Sequence, residues 1–595
     1  MSLLIKKNIR LLIISFLLSF SMILLKAATD YKGMDSSVIV KAMKDELNRN
    51  LKQLVYKDYG KPFYIGYTIT DANTYYINAS LGALVTSEDV PNRDWQVRLM
   101  VGNYQLNDEN FQDISASSGN SLPYLSIPLD NDYYGIRRAL WVATDQVYKS
   151  AGQNYKSKLN ALKENNIDLK ELPMDDFSKV PVIKVDIPPS TIMFNKSKYE
   201  QEVREVSSVF KDYTDIVTSE VLLVFFHAEV YFINSEGIEV HRPLTLASLF
   251  ISAQAMADDG DMIPDQIAYY TPLPEQLPDL EALKKNARTL AENLIALKNA
   301  PVFNDSYSGP VLFMQQAVTE LVAENLFSGA QSLIASREPL YNVPQMRMYY
   351  GQNSFSLESR IGKRIMDENI SVTAFPELKQ YNGIPLIGSF NVDAEGVIPP
   401  DTLDLVKNGY LKTLLNGRTP TRNISTSNGH DRYALMSGGI SERVGPGIIS
   451  LTGTETSSVS ELKKELIKRA EEEGLDYAII IRPVSKGPSH QPLNVYKVNL
   501  ENGEEQLVRS VNIESITLNK LRHIPGISDS RTVYNTLLTE SYSDHSTLIR
   551  SVGTSFNGLP VSFIMPEAML LDNIELAGTQ KPISGKLPVV SNPVK

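Results

Sequence analysis

The sequence predicts a multi-domain α+β protein. At 595 residues the chain is too long for one hydrophobic core, so about two to four domains are expected. A hydrophobic content of 43% and a charged content of 21% are typical of a folded protein. Helical and strand patterns are interrupted by two proline-bearing stretches, at 172–189 and 272–278. After an N-terminal leader, the predicted units are therefore 28–189, 190–280 and 281–595.

Helix and strand periodicity predicts the elements of the first two units. In the first unit a capped amphipathic helix starts near Asp35, and a long helix runs from Tyr134 to about Lys163. Its strand patterns are 64–70, 80–86 and 94–102. The second unit has a charged helix followed by two strands, at 199–211, 220–233 and 246–255. Between these strands lies the turn Asn234-Ser-Glu-Gly237, whose glycine can supply a positive φ.

The third unit begins with a helical stripe of leucine and alanine between Leu283 and Leu297. A short apolar strand at 310–313 is followed by a predicted helix from Gln315 to Ile334. Further on, Ser458-Val-Ser-Glu461 has the spacing of a capping box that opens a helix. The apolar run 477–481 predicts the strand after it.

The N-terminus has the pattern of an export signal. Lys6, Lys7 and Arg10 precede an apolar run from Leu11 to Leu25. Fifteen residues are fewer than the roughly 20 that a membrane span needs and suit a secretory signal peptide. We therefore expect residues 1–27 to be a signal peptide, with an uncleaved anchor as the alternative. The protein would be exported, to the periplasm or beyond, with no membrane span after cleavage.

Charge and cysteine content exclude two classes of chemistry. The formal net charge is −11, and no basic patch stands out along the sequence. Nucleic-acid affinity depends largely on Lys and Arg that neutralise phosphates, so no nucleic-acid partner is expected. The chain contains no cysteine, which removes thiol nucleophiles and thiolate metal ligands.

Several short motifs occur in an order that resembles one known family. They are Asn234-Ser-Glu-Gly237, Gly309-Pro-Val-Leu-Phe313, Gly409-Tyr-Leu-Lys-Thr-Leu-Leu-Asn-Gly-Arg418, Ser427-Asn-Gly-His-Asp-Arg432 and Gly558-Leu-Pro-Val-Ser562. In this order they are similar to the TldD/PmbA metallopeptidases, also called the modulator of DNA gyrase family, and to their PmbA/TldE-like branch. The resemblance implies mixed sheets with packed helices.

The resemblance also implies where a zinc site would lie. Catalytic members carry His-Glu-x-x-x-His on the helix after the apolar strand, and a cysteine in a later Gly-Thr-Cys loop. Here Ala323, Ser328 and Ser555 stand at the three ligand positions, and only Glu324 keeps its type. Zinc sites are built from imidazole, thiolate and carboxylate. The resemblance therefore implies that the zinc of catalytic members is lost here, that no cofactor is bound, and that Glu324 is a vestigial general base.

Other candidate residues have structural alternatives. His430 and Arg432 lie in a loop that resembles a substrate-facing turn of the family, and the Arg432 fork could pair with a peptide carboxylate. An ordinary surface loop is the alternative for both. The acidic residues around Gly260 lack the spacing of an EF-hand and predict a solvated turn. His227 and His241 are expected to be structural.

The sequence therefore predicts a non-catalytic relative of metallopeptidases. We expect it to bind peptide, or to pair with a TldD-like homologue or with itself around a proteolytic chamber. One alternative is an active peptidase that uses other ligands, such as His430 or His523. Another is a stand-alone binding module of the cell envelope.

Overall fold

The computed structural model describes residues 37–113, 126–168, 172, 174–188, 192–327, 332–343, 345, 357–436, 439–484, 492–513, 516–539, 556–578, 590 and 592–593. The fold is α+β, with six α-helices in these ranges and sheets that are mainly antiparallel. None of those helices combines the length and the apolar character that a membrane crossing requires. The predicted signal peptide, 1–27, lies outside the described residues.

The N-terminal half contains four of these helices and seven strands. The helices are α1 Val38–Gln53, α2 Tyr133–Glu164, α3 Lys196–Ser208 and α4 Leu280–Asn299. The strands are β1 Pro62–Ser80, β2 Ala83–Val101, β3 Phe111–Gln112, β4 Lys184–Asp186, β5 Ile216–Asn234, β6 Glu239–Met256 and β7 Met262–Thr271.

Six of these strands form one sheet, in the order β2-β1-β5-β6-β4, with β7 paired to β6. Strands β1 and β5 are antiparallel neighbours from Gly66 opposite Asn234 to Ala79 opposite Val221. The hairpin β1–β2 comes from the first predicted unit, and the hairpin β5–β6 from the second. A single sheet therefore joins the two units predicted as 28–189 and 190–280.

The two faces of this sheet have different neighbours. On one face, Ile65 and Ile69 pack against α1 and α2, while Leu223 and Leu249 pack against α3 and α4. On the other face, even-numbered residues such as Phe226 contact the C-terminal half. Because successive side chains of a strand point to opposite faces, long strands can serve both neighbours at once.

The C-terminal half contains helices α5 Gln316–Phe327 and α6 Val459–Glu472. Its strands are β8 Ser306–Met314, β9 Leu340–Tyr341, β10 Ile370–Ala374, β11 Gln380–Tyr381, β12 Ile384–Pro385, β13 Leu403–Lys407, β14 Tyr410–Leu411, β15 Asp431–Met436, β16 Gly439–Val444, β17 Ile448–Gly453, β18 Tyr477–Val484, β19 Pro492–Asn499, β20 Glu505–Val508, β21 Val511–Ile513, β22 Gly526–Ile527, β23 Arg531–Leu538, β24 Leu559–Pro566 and β25 Ala568–Gly578.

Two larger sheets enclose the main core of this half. One has the order β14-β13-β10-β17-β24-β23, and the other β20-β19-β18-β8-β25-β21, with β22 paired to β25. Helix α5 contributes its apolar residues to the core between them. Helix α6 covers the outer face of the second sheet. The parallel pair β3–β9 links the two halves of the chain.

Local signals in the sequence are reproduced in the structure. The capping box at Ser458 is formed, with the serine hydroxyl and the Glu461 carboxylate each accepting a backbone N–H. Gly237 has a φ of 99°, as its turn requires. The stretch 172–189, which its prolines and aspartates predict to be a linker, differs from that prediction, because Asp176 and Phe177 within it are buried at the contact between the two halves.

Candidate functional site

A large cavity lies where the N-terminal half meets the C-terminal half, beside the end of α5. Its volume is about 1220 Å³. The side chains that line it come from distant parts of the chain. Leucine and isoleucine side chains form part of the wall. The polar and charged side chains of the wall include Asn110, Lys158, Asp176, Glu324, Asn325, Arg337, Glu338, Glu358, Ser359, Arg360, Thr421, Arg422 and Arg522.

Glu324 reaches this cavity because of how α5 is attached. At the end of β8, Gln315 has a φ of 56°, and its backbone N–H donates to the Glu567 carbonyl at 2.6 Å. The chain then turns into a helix whose apolar side, including Val322 and Leu326, is fully buried in the core. Ala323 packs half-buried against the same core. Glu324 is exposed on the side of the helix that faces the cavity.

A buried ion-pair network supports another part of the cavity wall. The Asp176 carboxylate accepts from Lys158 Nζ at 2.5 Å and from the Arg337 guanidinium at 2.6 Å. Asp176 and Lys158 are 2% and 3% exposed. Burial lowers the pKa of Lys158, and the nearby Asp176 charge offsets part of that shift. One carboxylate therefore joins α2 of the N-terminal half to the segment after α5.

Next to Asp176, a fully buried arginine connects two of the motifs. The Arg418 guanidinium donates to both carboxylate oxygens of Glu236, at 2.6 and 2.8 Å, and to the Ser178 carbonyl. Its central carbon lies 3.9 Å from the centre of the Phe177 ring. Glu236 belongs to the Asn-Ser-Glu-Gly turn, and Arg418 ends the motif that starts at Gly409. The sequence separates these motifs by about 180 residues, and no local pattern indicates that they meet.

His430 is fully buried and lies apart from the cavity lining. Its Nδ1 is 2.9 Å from the Asn428 carbonyl, and its ring meets the Phe390 ring edge to face. Burial lowers the pKa of His430 to about 4, and the Arg432 charge acts in the same direction. The imidazole is therefore neutral at pH 7. Because a carbonyl can only accept, Nδ1 carries the proton and Nε2 keeps its lone pair.

Arg432 is also an internal residue. Its guanidinium donates to the carbonyls of Pro446 at 2.9 Å and Pro560 at 3.3 Å, and it stacks over Phe390. The loop that resembles a substrate-facing turn thus directs both candidate side chains into the protein. Contact between a substrate and His430 or Arg432 stays a prediction.

The described residues contain no cluster of three or more His, Asp or Glu side chains arranged to hold a metal ion. The cavity lining in those residues offers carboxylates but neither imidazole nor thiolate. Ser328 and Ser555, two of the inferred ligand positions, lie outside the described residues.

Two other sequence candidates have identifiable structural surroundings. In the acidic turn around Gly260, Asp259 and Asp261 form ion pairs with Arg509. His241 lies between two carboxylates, with Nδ1 2.8 Å from Asp186 and Nε2 2.9 Å from Glu229.

Comparison with known proteins agrees with this architecture. Residues 305–578 match the family model described as the PmbA/TldA metallopeptidase C-terminal domain. A Thermotoga maritima protein described as a modulator of a DNA gyrase is 15% identical, with a TM-score of 0.54, covering 90% of this chain and 99% of its own. TldE from Thermococcus kodakarensis is 13% identical, with a TM-score of 0.53, covering 90% and 100%. A Bacteroides thetaiotaomicron protein, also described as a modulator of DNA gyrase, is 11% identical, with a TM-score of 0.53, covering 91% and 98%.

No sequence among the curated proteins matches the chain. The fold and the matched domain define a metallopeptidase-like α+β protein of several units. These matches confirm the TldD/PmbA resemblance that the motifs predict: residues 305–578 carry the family's C-terminal domain, and the three solved structures share the fold of the chain.

Proposed function

We propose that this protein is an exported, non-catalytic member of the TldD/PmbA family that binds peptide in the cavity beside Glu324. The observation that carries the proposal is the lining of that cavity. It has room for an extended peptide segment, since ligand sites commonly occupy about 300–1,000 Å³. The described side chains around Glu324 supply no imidazole or thiolate for zinc.

Zinc does not fit the residues at hand. A methyl group at Ala323 cannot coordinate a metal, and hydroxyl groups at Ser328 and Ser555 are poor ligands compared with imidazole or thiolate. A carboxylate that activates water in a metallopeptidase depends on the ion to lower the pKa of that water. We therefore assign Glu324 a place in the binding wall.

The lining suits peptide better than a purely apolar or purely charged ligand. Amide side chains of Asn110 and Asn325 offer donors and acceptors for backbone groups, and apolar residues such as Leu106 and Leu357 complete the wall. Arg360 and Arg422 are exposed at the edge of the cavity, where they can pair with a peptide carboxylate.

Peptide binding and metal content test this proposal together. A fluorescein-labelled digest of casein serves as the probe, and Ser359→Trp places a bulky ring in the cavity. The matched control is Ser460→Trp, at an exposed position on α6. We expect Ser359→Trp to weaken binding at least about tenfold and Ser460→Trp to leave it unchanged. Equal binding by the two variants would remove the cavity as the site.

Metal analysis of the purified protein tests the absence of zinc chemistry. We expect less than stoichiometric zinc and no loss of thermal stability with a chelator. Stoichiometric zinc that disappears in His430→Gln or His523→Gln would establish an active peptidase with other ligands instead.

Export and partnership are tested in the native host. Cell fractionation with N-terminal sequencing shows whether the chain is outside the cytoplasm and whether it begins after Ala27. Purification under mild conditions then identifies bound subunits. A homologue that carries both zinc-binding histidines and the cysteine would establish the partner role. A lone protein that still binds the casein peptides would favour the envelope binding module.

A further inference from the structure

The outer surface formed by α1 and α2 is chemically different from the rest of the protein. Without Lys158, which is buried against Asp176, these two helices contain nine Lys and Arg residues and four Asp and Glu residues, a formal charge of +5 in a chain whose net charge is −11. Two of these cations, Lys44 and Lys156, pair with acidic residues outside the helices, Glu239 and Asp58. The contrast is not visible in the linear sequence, because about 80 residues separate the helices. The fold places them side by side and concentrates the positive charge.

The helices run in the same direction, as three pairs of contacts along them show. The Tyr133 hydroxyl, at the N-terminus of α2, donates to Asp45 in the middle of α1 at 2.6 Å. Further along, the Arg49 guanidinium lies 5.9 Å from the Trp141 ring. Beyond the end of α1, Tyr56 donates its backbone N–H to the Tyr148 hydroxyl. One face of both helices packs on the sheet, so the opposite face forms a continuous outer layer.

Cations and aromatic rings alternate along this outer layer. Lys41 lies over the Tyr133 ring, Arg49 beside Trp141 and Lys149 over Tyr56, at 5.5, 5.9 and 5.4 Å from the ring centres. Tyr134 is 76% exposed and Trp141 is 48% exposed. From Tyr134 to Lys156 the stripe is about 33 Å long, at 1.5 Å per helical residue.

We propose that this α1–α2 face binds the surface of an anionic lipid bilayer. Tyr and Trp are the side chains that settle at the boundary between lipid and water, and Lys and Arg supply attraction to anionic headgroups. Val38 and Val55, 39% and 57% exposed, add apolar surface to the same face. A nucleic-acid surface shares the positive charge but gives no role to these exposed apolar side chains.

The nearness of α1 to the apolar N-terminal run in the sequence also favours a lipid bilayer as the partner. The apolar run that ends at Leu25 lies only twelve residues before Ser37, where the described chain begins. Twelve extended residues reach about 40 Å at most. While that run occupies a membrane, whether during export or as an anchor, α1 is therefore held within about 40 Å of the lipid.

Vesicle binding tests the proposal. The protein is purified with the N-terminus that the cell produces, whether or not the signal peptide has been cleaved. The test variant is Lys41→Gln, Lys52→Gln and Arg138→Gln, three exposed cations of the face. The matched control changes two lysines and one arginine on other helices, Lys285→Gln, Arg288→Gln and Lys464→Gln. Both variants keep the same N-terminus and the same net charge. Equal thermal midpoints verify that neither change disturbs folding.

We expect the unaltered protein to bind phosphatidylglycerol–phosphatidylcholine vesicles more tightly than phosphatidylcholine vesicles. The face variant should lose about a hundredfold in affinity for the anionic vesicles, and the control about twofold or less. Equal affinity for both lipids, or equal losses in the two variants, would overturn the proposal. Tighter binding to a 30-base-pair DNA duplex than to the anionic vesicles would overturn it in favour of nucleic acid.

Tryptophan fluorescence gives an independent readout of orientation. The chain has two tryptophans, so Trp95→Phe leaves Trp141 as a single reporter on the face. We expect its emission to move to shorter wavelength with anionic vesicles and to be quenched by brominated lipid. Binding without either change would show that another surface contacts the membrane.

Discussion

Replacing Asp176 by Asn should destabilise the contact between the two halves of the chain. The carboxylate holds Lys158 and Arg337 on its two oxygens, and Asp176 and Lys158 are almost completely buried. Asparagine keeps the shape but leaves two cations facing each other without a counter-charge. Breaking a buried ion pair from one side costs about 3–5 kcal/mol. Asparagine also has only one acceptor oxygen, so it cannot accept both from Arg337 on one side and from Lys158 and the Asn107 backbone N–H on the other.

Hydrogen exchange during chemical denaturation measures the loss of stability at the contact between the two halves. Because a chain of several units need not unfold in one step, the exchange of peptides covering 105–110 and 174–178 is the primary readout. Lys158→Met should restore part of the loss in the double variant, since it removes one of the two stranded charges. A single variant within about 0.5 kcal/mol of the parent, or a double variant no better than the single, would refute the reasoning.

Two other buried charges give predictions of defined sign. Arg418→Met should cost about 3–5 kcal/mol in the free energy of unfolding, because it strands Glu236, and adding Glu236→Gln should recover part of it. If Arg418→Lys costs as much as Arg418→Met in denaturant titrations, the buried positive charge is not what matters. For His241, burial lowers the pKa, but its hydrogen bonds to two carboxylates outweigh burial and raise the pKa above 6.5. The resulting stabilisation is complete below pH 6.5 and is lost as the pH rises through the raised pKa. The stability difference between the protein and His241→Asn should therefore be about 1–2 kcal/mol at pH 6 and shrink toward pH 9, and a difference that grows with pH would contradict this assignment.

Elements governed by local periodicity were predictable, and their lengths were not. The capping box at Ser458 and the long helix beginning near Tyr134 follow from side chains within a few residues of each other. Strands β1 and β2 were predicted as short pieces, but each has 19 residues. The residues between the predicted pieces include many polar side chains, so the alternating apolar pattern is lost there. Strand β1 continues through this region because it pairs with β5, which lies more than 100 residues away in the sequence.

In the candidate site, too, features set by nearby residues were predictable and features set by distant residues were not. The position of Glu324 on an exposed helix face follows from the apolar spacing around it and from the resemblance to the family. The stretch with Asp176 and Phe177 reads as a linker because prolines and aspartates favour turns. Its buried role depends on Lys158, Arg337 and Arg418, which come from three other segments. No local rule indicates that one aspartate of this stretch will meet two cations.

The cavity beside Glu324 is held in shape by contacts within the chain. In many metalloproteins the ion organises the fold, because its binding energy appears only when the ligands are assembled. Here part of the cavity wall is held by Asp176 with its two cations, and Arg418, paired with Glu236, holds the adjacent Phe177. The shape of the cavity therefore does not require zinc. Under the proposed function, such a scaffold keeps a binding site without hydrolytic chemistry, since recognition depends on the walls and hydrolysis on the ion.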